Sequence, residues 1–227
     1  MAQNAARLYL DESCMSILCQ NLTFNYSKRK SNSRLFEEFG FELNNNETKC
    51  IYGGTGSGKT TLFNLLFGEM KPNKGKILID NVPLNKDKKL FDKVAFLFQE
   101  LEKQFVFPSI RDEYNFLINH SNENAITQNI NELCKIFNVK IEAFFHKDIY
   151  ELSRGELRLL QVIFSFSAET KYLILDEPAD HLEKILREKL FDLIKSTNNK
   201  GILILTKYHK LYETVADESI PINAKYA

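Results

Sequence analysis

A glycine-rich segment, Gly53-Gly-Thr-Gly-Ser-Gly-Lys-Thr60, restricts the fold of this chain more than any other feature. It matches the P-loop pattern G-x-x-x-x-G-K-[ST] without a gap. The apolar run Thr48–Tyr52 precedes it, and residues 60–67 carry apolar side chains at helical spacing. The chain is therefore predicted to run from a buried strand through a tight loop into a helix, a unit typical of α/β folds.

The residue types in this loop suit a polyphosphate ligand. Glycines allow successive backbone amides to point at an anion, and the N-terminus of the next helix adds positive potential. Lys59 supplies a point charge for the terminal phosphates, and the Thr60 hydroxyl is a ligand for Mg²⁺. A chance glycine-rich turn is the alternative, which the flanking strand and helix disfavour. The candidate nucleotide-binding residues in this segment are Gly53, Gly54, Thr55, Gly56, Ser57, Gly58, Lys59, Thr60 and Thr61.

Two carboxylates, Asp176 and Glu177, directly follow a second apolar run, Tyr172-Leu-Ile-Leu. Asp176 suits a Mg²⁺ ligand that acts through water, and Glu177 is placed to act as general base on an attacking water. An acidic turn after a core strand is the alternative. Beside a P-loop, the pair instead indicates the second half of a nucleotide–metal site.

The apolar runs predict an α/β fold with a largely parallel central sheet. Short, nearly unbroken apolar runs are typical of parallel strands buried on both faces. These runs occupy residues 48–52, 172–175 and 202–206, and helical patterns follow at 60–67 and 182–194. Residues 17–26 and 35–43 are rich in aromatic and branched side chains and predict a hairpin joined by a polar loop.

The segment from about residue 108 to 168 differs from the rest of the chain. It holds amphipathic patterns at residues 110–117, 125–137 and 156–167, and it shows no clear strand. We expect a helical subdomain inserted into a single domain, 1–227, whose α/β core takes residues 17–107 and 169–221.

Composition excludes several classes of protein. The 227 residues carry 30 Lys plus Arg and 30 Asp plus Glu, for a formal net charge of 0, whereas dedicated nucleic-acid binders are normally basic. The four cysteines show no metal-ligand or redox spacing. No apolar run reaches the roughly 18 residues of a spanning helix, since the richest, 157–168, is interrupted by Arg158 and Gln161. The N-terminus lacks the features of a secretory signal. We expect a soluble, intracellular protein that binds no nucleic acid.

A third motif, Leu152-Ser-Arg-Gly-Glu156, gives the chain a family resemblance. It is similar to the LSGGQ signature of the ATP-binding cassette (ABC) ATPases, and it lies upstream of the two strand-end carboxylates as in that family. Ser153 and Gly155 open a predicted helix and would present a hydroxyl, an amide and a helix dipole to an anion. The resemblance implies that this anion is the γ-phosphate held by a partner subunit. An ordinary helix N-cap is the alternative.

Two further positions fit the same resemblance. Tyr26, at the end of an early strand, resembles the aromatic residue that stacks on adenine, and a core or edge tyrosine is its alternative role. Gln99 follows the predicted strand 94–98 and resembles the Q-loop glutamine that senses Mg²⁺ and the attacking water. Gln104, five residues later, is similar to a second glutamine of the energy-coupling-factor and cobalt-type subgroup.

The sequence departs from the family pattern at the switch position. The family has a histidine directly after the threonine that ends the last core strand, and here Thr206 is followed by Lys207. His209 is expected on the surface of the next helix. Lysine could contact a γ-phosphate as a cation, but it cannot transfer a proton near neutral pH. The hypothesis is therefore slowed hydrolysis at this site. Smaller departures are Arg154 and Glu156 in the signature and Glu183 in the D-loop, residues 179–183.

The resemblance implies a P-loop NTPase fold of ABC type, with a mainly parallel core sheet, an N-terminal antiparallel β subdomain and the inserted helical subdomain. It implies an ATP-binding and ATP-hydrolysing transporter subunit, in which catalysis involves Glu177, Gln99 and Lys207. The implied Mg²⁺ ligands are Thr60, Gln99 and Asp176.

The same resemblance implies partners and a place in the cell. Two ATPase subunits, identical or different, would enclose ATP and Mg²⁺ between them, and a separate transmembrane permease would carry the solute. The chain would lie in the cytoplasm, on the inner face of the cell membrane. The alternatives are a soluble ABC ATPase without a permease and a binding-only subunit paired with an active one.

Overall fold

Two β-sheets organise this chain in a computed structural model that describes residues 15–26, 35–86 and 89–222. The strands are β1 (Ser16–Phe24), β2 (Phe36–Asn44), β3 (Thr48–Tyr52), β4 (Lys74–Ile79), β5 (Val82–Pro83), β6 (Val94–Leu97), β7 (Tyr172–Asp176), β8 (Gly201–Thr206) and β9 (Glu218–Pro221). The helices are α1 (Lys59–Phe67), α2 (Leu90–Lys93), α3 (Ile110–Asn119), α4 (Glu123–Phe137), α5 (Arg154–Ser167) and α6 (Lys184–Ser196). This combination confirms the predicted α/β class.

The smaller sheet is antiparallel, with its strands in the order β2-β1-β4-β5. β1 pairs with β2 as the predicted hairpin requires, with Ser16 opposite Asn44 at one end. The loop that joins them, residues 27–34, lies outside the described residues. The sequence patterns do not predict β4, because this strand begins with the exposed residues Lys-Gly-Lys.

The larger sheet is parallel, with its strands in the order β6-β7-β8-β3-β9. Tyr52 at the end of β3 lies opposite Thr206 at the end of β8, and Asp176 at the end of β7 lies opposite Leu205. The carboxyl ends of three neighbouring strands therefore meet at one edge of the sheet, which is where ligands bind in open α/β folds.

One expectation about this sheet is wrong. Residues 202–206 are not the last core strand, because β9 follows in the chain and pairs with β3. β9 reads Glu-Ser-Ile-Pro, is largely exposed at the sheet edge and ends in proline. Proline is tolerated at such an edge. Because β9 is short and polar, it has no apolar run from which the strand could be predicted.

Helix α1 lies between the two sheets and shares an apolar core with both. Its buried residues include Leu62 and Leu66, and the same core contains Ile17 of β1, Ile174 of β7 and Leu205 of β8. Burial of an apolar face against two sheets fixes the direction of this short helix. Its N-terminus is consequently held at the carboxyl edge of the parallel sheet.

Helices α3, α4 and α5 follow β6 and precede β7 in the chain. They correspond to the helices expected at residues 110–117, 125–137 and 156–167, with ends that differ by at most two residues. Ile130 of α4 and Leu160 of α5 belong to a core cluster that also contains residues of β7 and β8. Nowhere in the described ranges does a helix combine the length and the apolar character needed to cross a membrane.

Candidate functional site

The loop between β3 and α1 follows the carboxyl edge of the parallel sheet. Gly56 and Gly58 have φ values of 80° and 99°, in the left-handed region that favours glycine. A Cβ atom on Gly53 would lie 2.5 Å from the carbonyl oxygen of Ile222, so a side chain has no room at the start of the loop. The Gly53 amide donates to the Thr206 carbonyl at 3.2 Å, which fastens the loop to β8.

Lys59 opens α1 with its side chain turned back into the loop. Its Nζ donates hydrogen bonds to the carbonyl oxygens of Gly53 at 2.7 Å and Gly54 at 3.1 Å. Burial lowers the pKa of Lys59, and the charges of Glu177 and Asp176 oppose this shift. The loop therefore holds a cation close to two carboxylates, and a phosphate is a stronger partner for that cation than two neutral carbonyls.

Asp176 is buried at the end of β7. Burial, followed by the nearby charge of Glu177, raises the pKa of Asp176 to about 7, and Lys59 opposes the rise. Within the described residues, its Oδ1 atom and the Oγ atom of Ser57 in the loop have no hydrogen-bond partner. Buried polar atoms without partners are costly, so this pair points to a bound polar ligand or cation.

Glu177 is also buried, and the end of β8 holds its carboxylate. Oε2 accepts a hydrogen bond from the Thr206 hydroxyl at 2.8 Å, and Oε1 accepts one from the Lys207 backbone amide at 2.8 Å. Glu177 itself has a φ of 48°. No sequence motif assigns a function to the Thr206 hydroxyl. A hydroxyl residue that closes an otherwise apolar strand is the signal that would have found it.

Lys207 places its side chain against the D-loop. Its Nζ lies 3.5 Å from Oδ2 of Asp180 and 4.8 Å from the centre of the Tyr208 ring. No sequence motif points to Asp180 as a functional residue. His209 stacks on the ring of Tyr52 with 4.3 Å between the ring centres, so it is not fully on the surface as expected.

Tyr26 lies beside the P-loop helix. Its hydroxyl forms a hydrogen bond with the Thr61 hydroxyl in α1, and its ring meets Phe24 edge-on at 5.1 Å. The residue is 68% exposed, so it is an exposed tyrosine and not a core one. An aromatic surface is thus available next to the phosphate-binding loop.

The signature segment forms the N-terminus of α5. The Ser153 hydroxyl accepts a hydrogen bond from the Glu156 amide, and the Glu156 carboxylate accepts one from the Ser153 amide. Ser153 is therefore the N-cap of α5 and forms a capping box with Glu156, as expected for an ordinary helix start. Ser153 remains exposed, and a Cβ atom on Gly155 would lie 3.2 Å from the carbonyl oxygen of His181 in the D-loop.

The two glutamines after β6 differ in their surroundings. Gln99 is exposed, and its carbonyl oxygen accepts a hydrogen bond from Arg158 of α5. Gln104 uses its side chain within the protein: Oε1 accepts from the Phe98 amide, and Nε2 donates to the Phe96 carbonyl and the Ser165 hydroxyl. Only Gln99 of this pair presents its side chain to solvent for a ligand.

The fold and the site together define a class of protein. A glycine loop connects a parallel strand to a helix that opens with a buried lysine, and two buried carboxylates end a strand of the same sheet. This arrangement is that of a P-loop nucleoside triphosphatase.

Comparison with known proteins gives the family. Residues 36–180 match the family model described as ABC transporter. The chain belongs to this family, and it is an ATP-binding and ATP-hydrolysing subunit of the ABC type.

Two relatives are each 30% identical to the chain over the matched residues. One is EcfA1, an energy-coupling factor transporter ATP-binding protein of Fusobacterium nucleatum, matched over 200 residues that cover 85% of this chain and 73% of that protein. The other is EcfA2 of Clostridium tetani, matched over 209 residues that cover 89% and 73%. These similarities agree with the resemblance to the energy-coupling-factor type.

Solved structures share the fold at lower sequence identity. An ATP-binding subunit of an ABC transporter aligns with a TM-score of 0.80 and 18% identity, covering 92% of this chain and 86% of that one. CbiO1 from Clostridium perfringens, part of the complex cbiONQ, aligns with a TM-score of 0.72 and 24% identity, covering 93% and 86%.

Proposed function

We propose that the chain is the motor subunit of an ABC transporter of the energy-coupling-factor type, in which ATP and Mg²⁺ bind at the carboxyl edge of the parallel sheet. One observation carries the proposal. The P-loop, Lys59 and two buried carboxylates converge where β3, β7 and β8 end side by side. Tyr26 adds an exposed aromatic surface for the adenine, and the loop amides face the phosphates.

Mg²⁺ fits the residues at this edge. Asp176 offers a buried carboxylate oxygen that has no hydrogen-bond partner among the described residues, and carboxylate and hydroxyl oxygens are the ligands that Mg²⁺ prefers. Thr60, Asp176 and Gln99 would hold the ion, with Asp176 acting through water. When bound, Mg²⁺ neutralises the charge that develops on the phosphates.

Glu177 acts as the general base. A water oxygen attacks the γ-phosphorus, its proton passes to the Glu177 carboxylate, and the bond to the β-phosphate oxygen breaks to release ADP and phosphate. The Thr206 hydroxyl and the Lys207 amide hold this carboxylate in place, so its position does not depend on the side chain at residue 207. Lys59 stabilises the negative charge of the transferring phosphoryl group.

The subunit works with partners. Ser153 and Gly155 at the start of α5 complete the nucleotide site of a second ATPase subunit, since a helix N-terminus with an exposed hydroxyl is suited to an anion. A separate transmembrane permease carries the solute, which places this subunit at the inner face of the membrane.

The catalytic part is tested by replacing Glu177 with Gln in the full chain. We expect kcat to fall by roughly 10²- to 10⁴-fold with ATP binding retained, because a positioned base contributes that much. Glu188→Gln, on the exposed face of α6, is the matched control and should keep wild-type turnover. A wild-type chain that binds ATP without hydrolysing it, alone or with its partners, would instead support the binding-only role.

The transport part is tested by tagging the chain, extracting it gently from membranes of its own host and identifying the proteins that come with it. A permease at matching amounts supports a homodimeric motor. Recovery of a permease together with a second ATPase that has a histidine at the switch position would show that this chain is one subunit of a heterodimer. The absence of any membrane partner contradicts the transporter role.

A further inference from the structure

One face of the signature helix α5 is polar and yet buried. Arg158, Gln161 and Ser165 lie at spacings of three and four residues, so they project from the same side of the helix. Arg158 and Gln161 are fully buried, and Ser165 nearly so. The two polar residues that interrupt the apolar stretch 157–168 therefore do not face solvent.

This polar face holds the chain at the end of β6 and in the segment after it. The guanidinium of Arg158 donates to two consecutive carbonyl oxygens, that of Phe98 at 2.8 Å from Nη1 and that of Gln99 at 2.9 Å from Nη2. Further along the helix, Gln161 donates to the Leu101 carbonyl at 2.9 Å and Ser165 donates to the Phe96 carbonyl at 3.2 Å.

Arg158 also brings a positive charge into the interior. Burial lowers the pKa of Arg158 to about 10, and the charges of Asp180 and Asp176 are the main influences opposing the shift. The group therefore stays charged at neutral pH. A buried charge is tolerated when it is hydrogen-bonded and balanced, and here the balance comes from the D-loop and the strand-end carboxylates.

We propose that Arg158 is a positioning residue for ATP hydrolysis, which fixes the backbone of Gln99 to the helix that carries Ser153 and Gly155. This inference rests on the proposed function. A bidentate guanidinium sets both distance and orientation, and a lone amine does not. Gln99 serves the subunit's own nucleotide site, and Ser153 serves the partner's.

The connection between the two sites is short. Ser153 and Arg158 are five residues apart on one helix, about 7.5 Å along its axis. Arg158 thus forms, within each subunit, a direct link between the glutamine assigned to its own ATP and the signature edge offered to its partner. A movement of either end is transmitted to the other through Arg158.

The test compares Arg158→Met with Gln161→Met in the full chain. Arg158→Met removes two buried hydrogen bonds to carbonyls of this segment and Gln161→Met removes one, but only the first change releases Gln99. We expect Arg158→Met to lower kcat roughly 10- to 100-fold, the scale of a small misplacement of a reacting group. The Mg²⁺ concentration that gives half-maximal turnover should also rise several-fold in this variant. Its affinity for ATP, measured in EDTA, should not change. Gln161→Met should lower the melting temperature and keep both kinetic values near wild type.

Two results overturn the inference. One is an equal loss of kcat in both variants, which indicates a purely structural role. The other is a wild-type Mg²⁺ requirement in Arg158→Met. If that variant does not fold, Arg158→Lys decides. It keeps the positive charge but replaces the planar pair of donor nitrogens with a single nitrogen, so an intermediate kcat with a raised Mg²⁺ requirement supports the inference, and wild-type values overturn it. If the wild-type chain neither binds nor hydrolyses ATP, the proposed function itself is refuted. If the wild type is active and the Arg158 variants have the same kinetic values, only the role of Arg158 is refuted.

Discussion

The backbone amide of Lys207 donates a 2.8 Å hydrogen bond to the Glu177 carboxylate. The side chain of the same residue extends to the D-loop, where Nζ lies 3.5 Å from Asp180. The two halves of Lys207 therefore act on different groups. Any residue except proline can hold the base through its backbone amide at this position, while the side chain decides whether a proton-transferring group stands near the γ-phosphate.

Replacement of Lys207 by His should raise ATP turnover several-fold in the assembled complex. The imidazole can exchange a proton near neutral pH, whereas the lysine ammonium cannot, and the backbone bond to Glu177 survives the change. The measurement is kcat at saturating ATP and Mg²⁺. Lys210→His, on an exposed residue three positions later, is the matched control and should have no effect. Unchanged turnover in Lys207→His would contradict the idea that lysine slows hydrolysis.

The raised pKa of Asp176 predicts how stability depends on pH in the absence of Mg²⁺. Burial raises this pKa from 3.8 to about 7, so between these values the folded state keeps a proton that the unfolded state releases. Stability contributed by this group is therefore greatest at low pH and declines as the pH rises toward 7. Asp176→Asn removes the decline, and its advantage in melting temperature over wild type should grow from about pH 4 to about pH 7 and then level off.

The control for this prediction is Asp192→Asn, an exposed residue of α6. Its difference from wild type should stay constant across the same pH range. All measurements need EDTA, because a bound cation favours the ionised carboxylate and reverses the trend. A constant difference between Asp176→Asn and wild type would show that the burial of Asp176 does not control its protonation.

The sequence predicts the elements that have a strong local pattern. β7 is an unbroken apolar run up to Asp176, β3 is a nearly unbroken one, and the P-loop that follows β3 requires a turn and then a helix. β4 and β9 escape prediction because they are polar and exposed for much of their length, and tertiary pairing alone stabilises them.

Motifs in the sequence identify the residues of the site, but they do not identify the distant residues whose hydrogen bonds keep those residues in position. Thr206 and Glu177 are 29 residues apart, and Arg158 and Gln99 are 59 apart. These contacts depend on how α5 and β8 pack, which no local pattern encodes. Arg158 illustrates the limit best, since an arginine in an apolar stretch normally indicates a solvent-facing position.

Tyr26 should contribute to binding through its ring and not through its hydroxyl. Tyr26→Ala removes the exposed aromatic surface and should weaken ATP binding by about 1–3 kcal/mol, the range for stacking of a base on an aromatic side chain. Tyr26→Phe keeps the ring, loses only the hydrogen bond to Thr61 and should bind ATP nearly as wild type does. Titration with inorganic tripolyphosphate, which has no base, should give the same affinity for all three proteins. Equal ATP affinity in Tyr26→Ala would exclude the adenine contact.

Gly58 and Gly54 lie four residues apart in one loop and should respond differently to alanine. Gly58 has a φ of 99°, and a Cβ atom there would lie 2.7 Å from a ring carbon of Phe36, so both backbone strain and steric overlap oppose the change. We expect Gly58→Ala to lower the free energy of unfolding by about 1–3 kcal/mol. A Cβ atom on Gly54 has no atom within 4 Å, and Gly54→Ala should change that free energy by less than about 0.5 kcal/mol. Urea unfolding without nucleotide measures both values. Equal losses in the two variants would show that Phe36 and the left-handed backbone at Gly58 do not set the conformation of the loop.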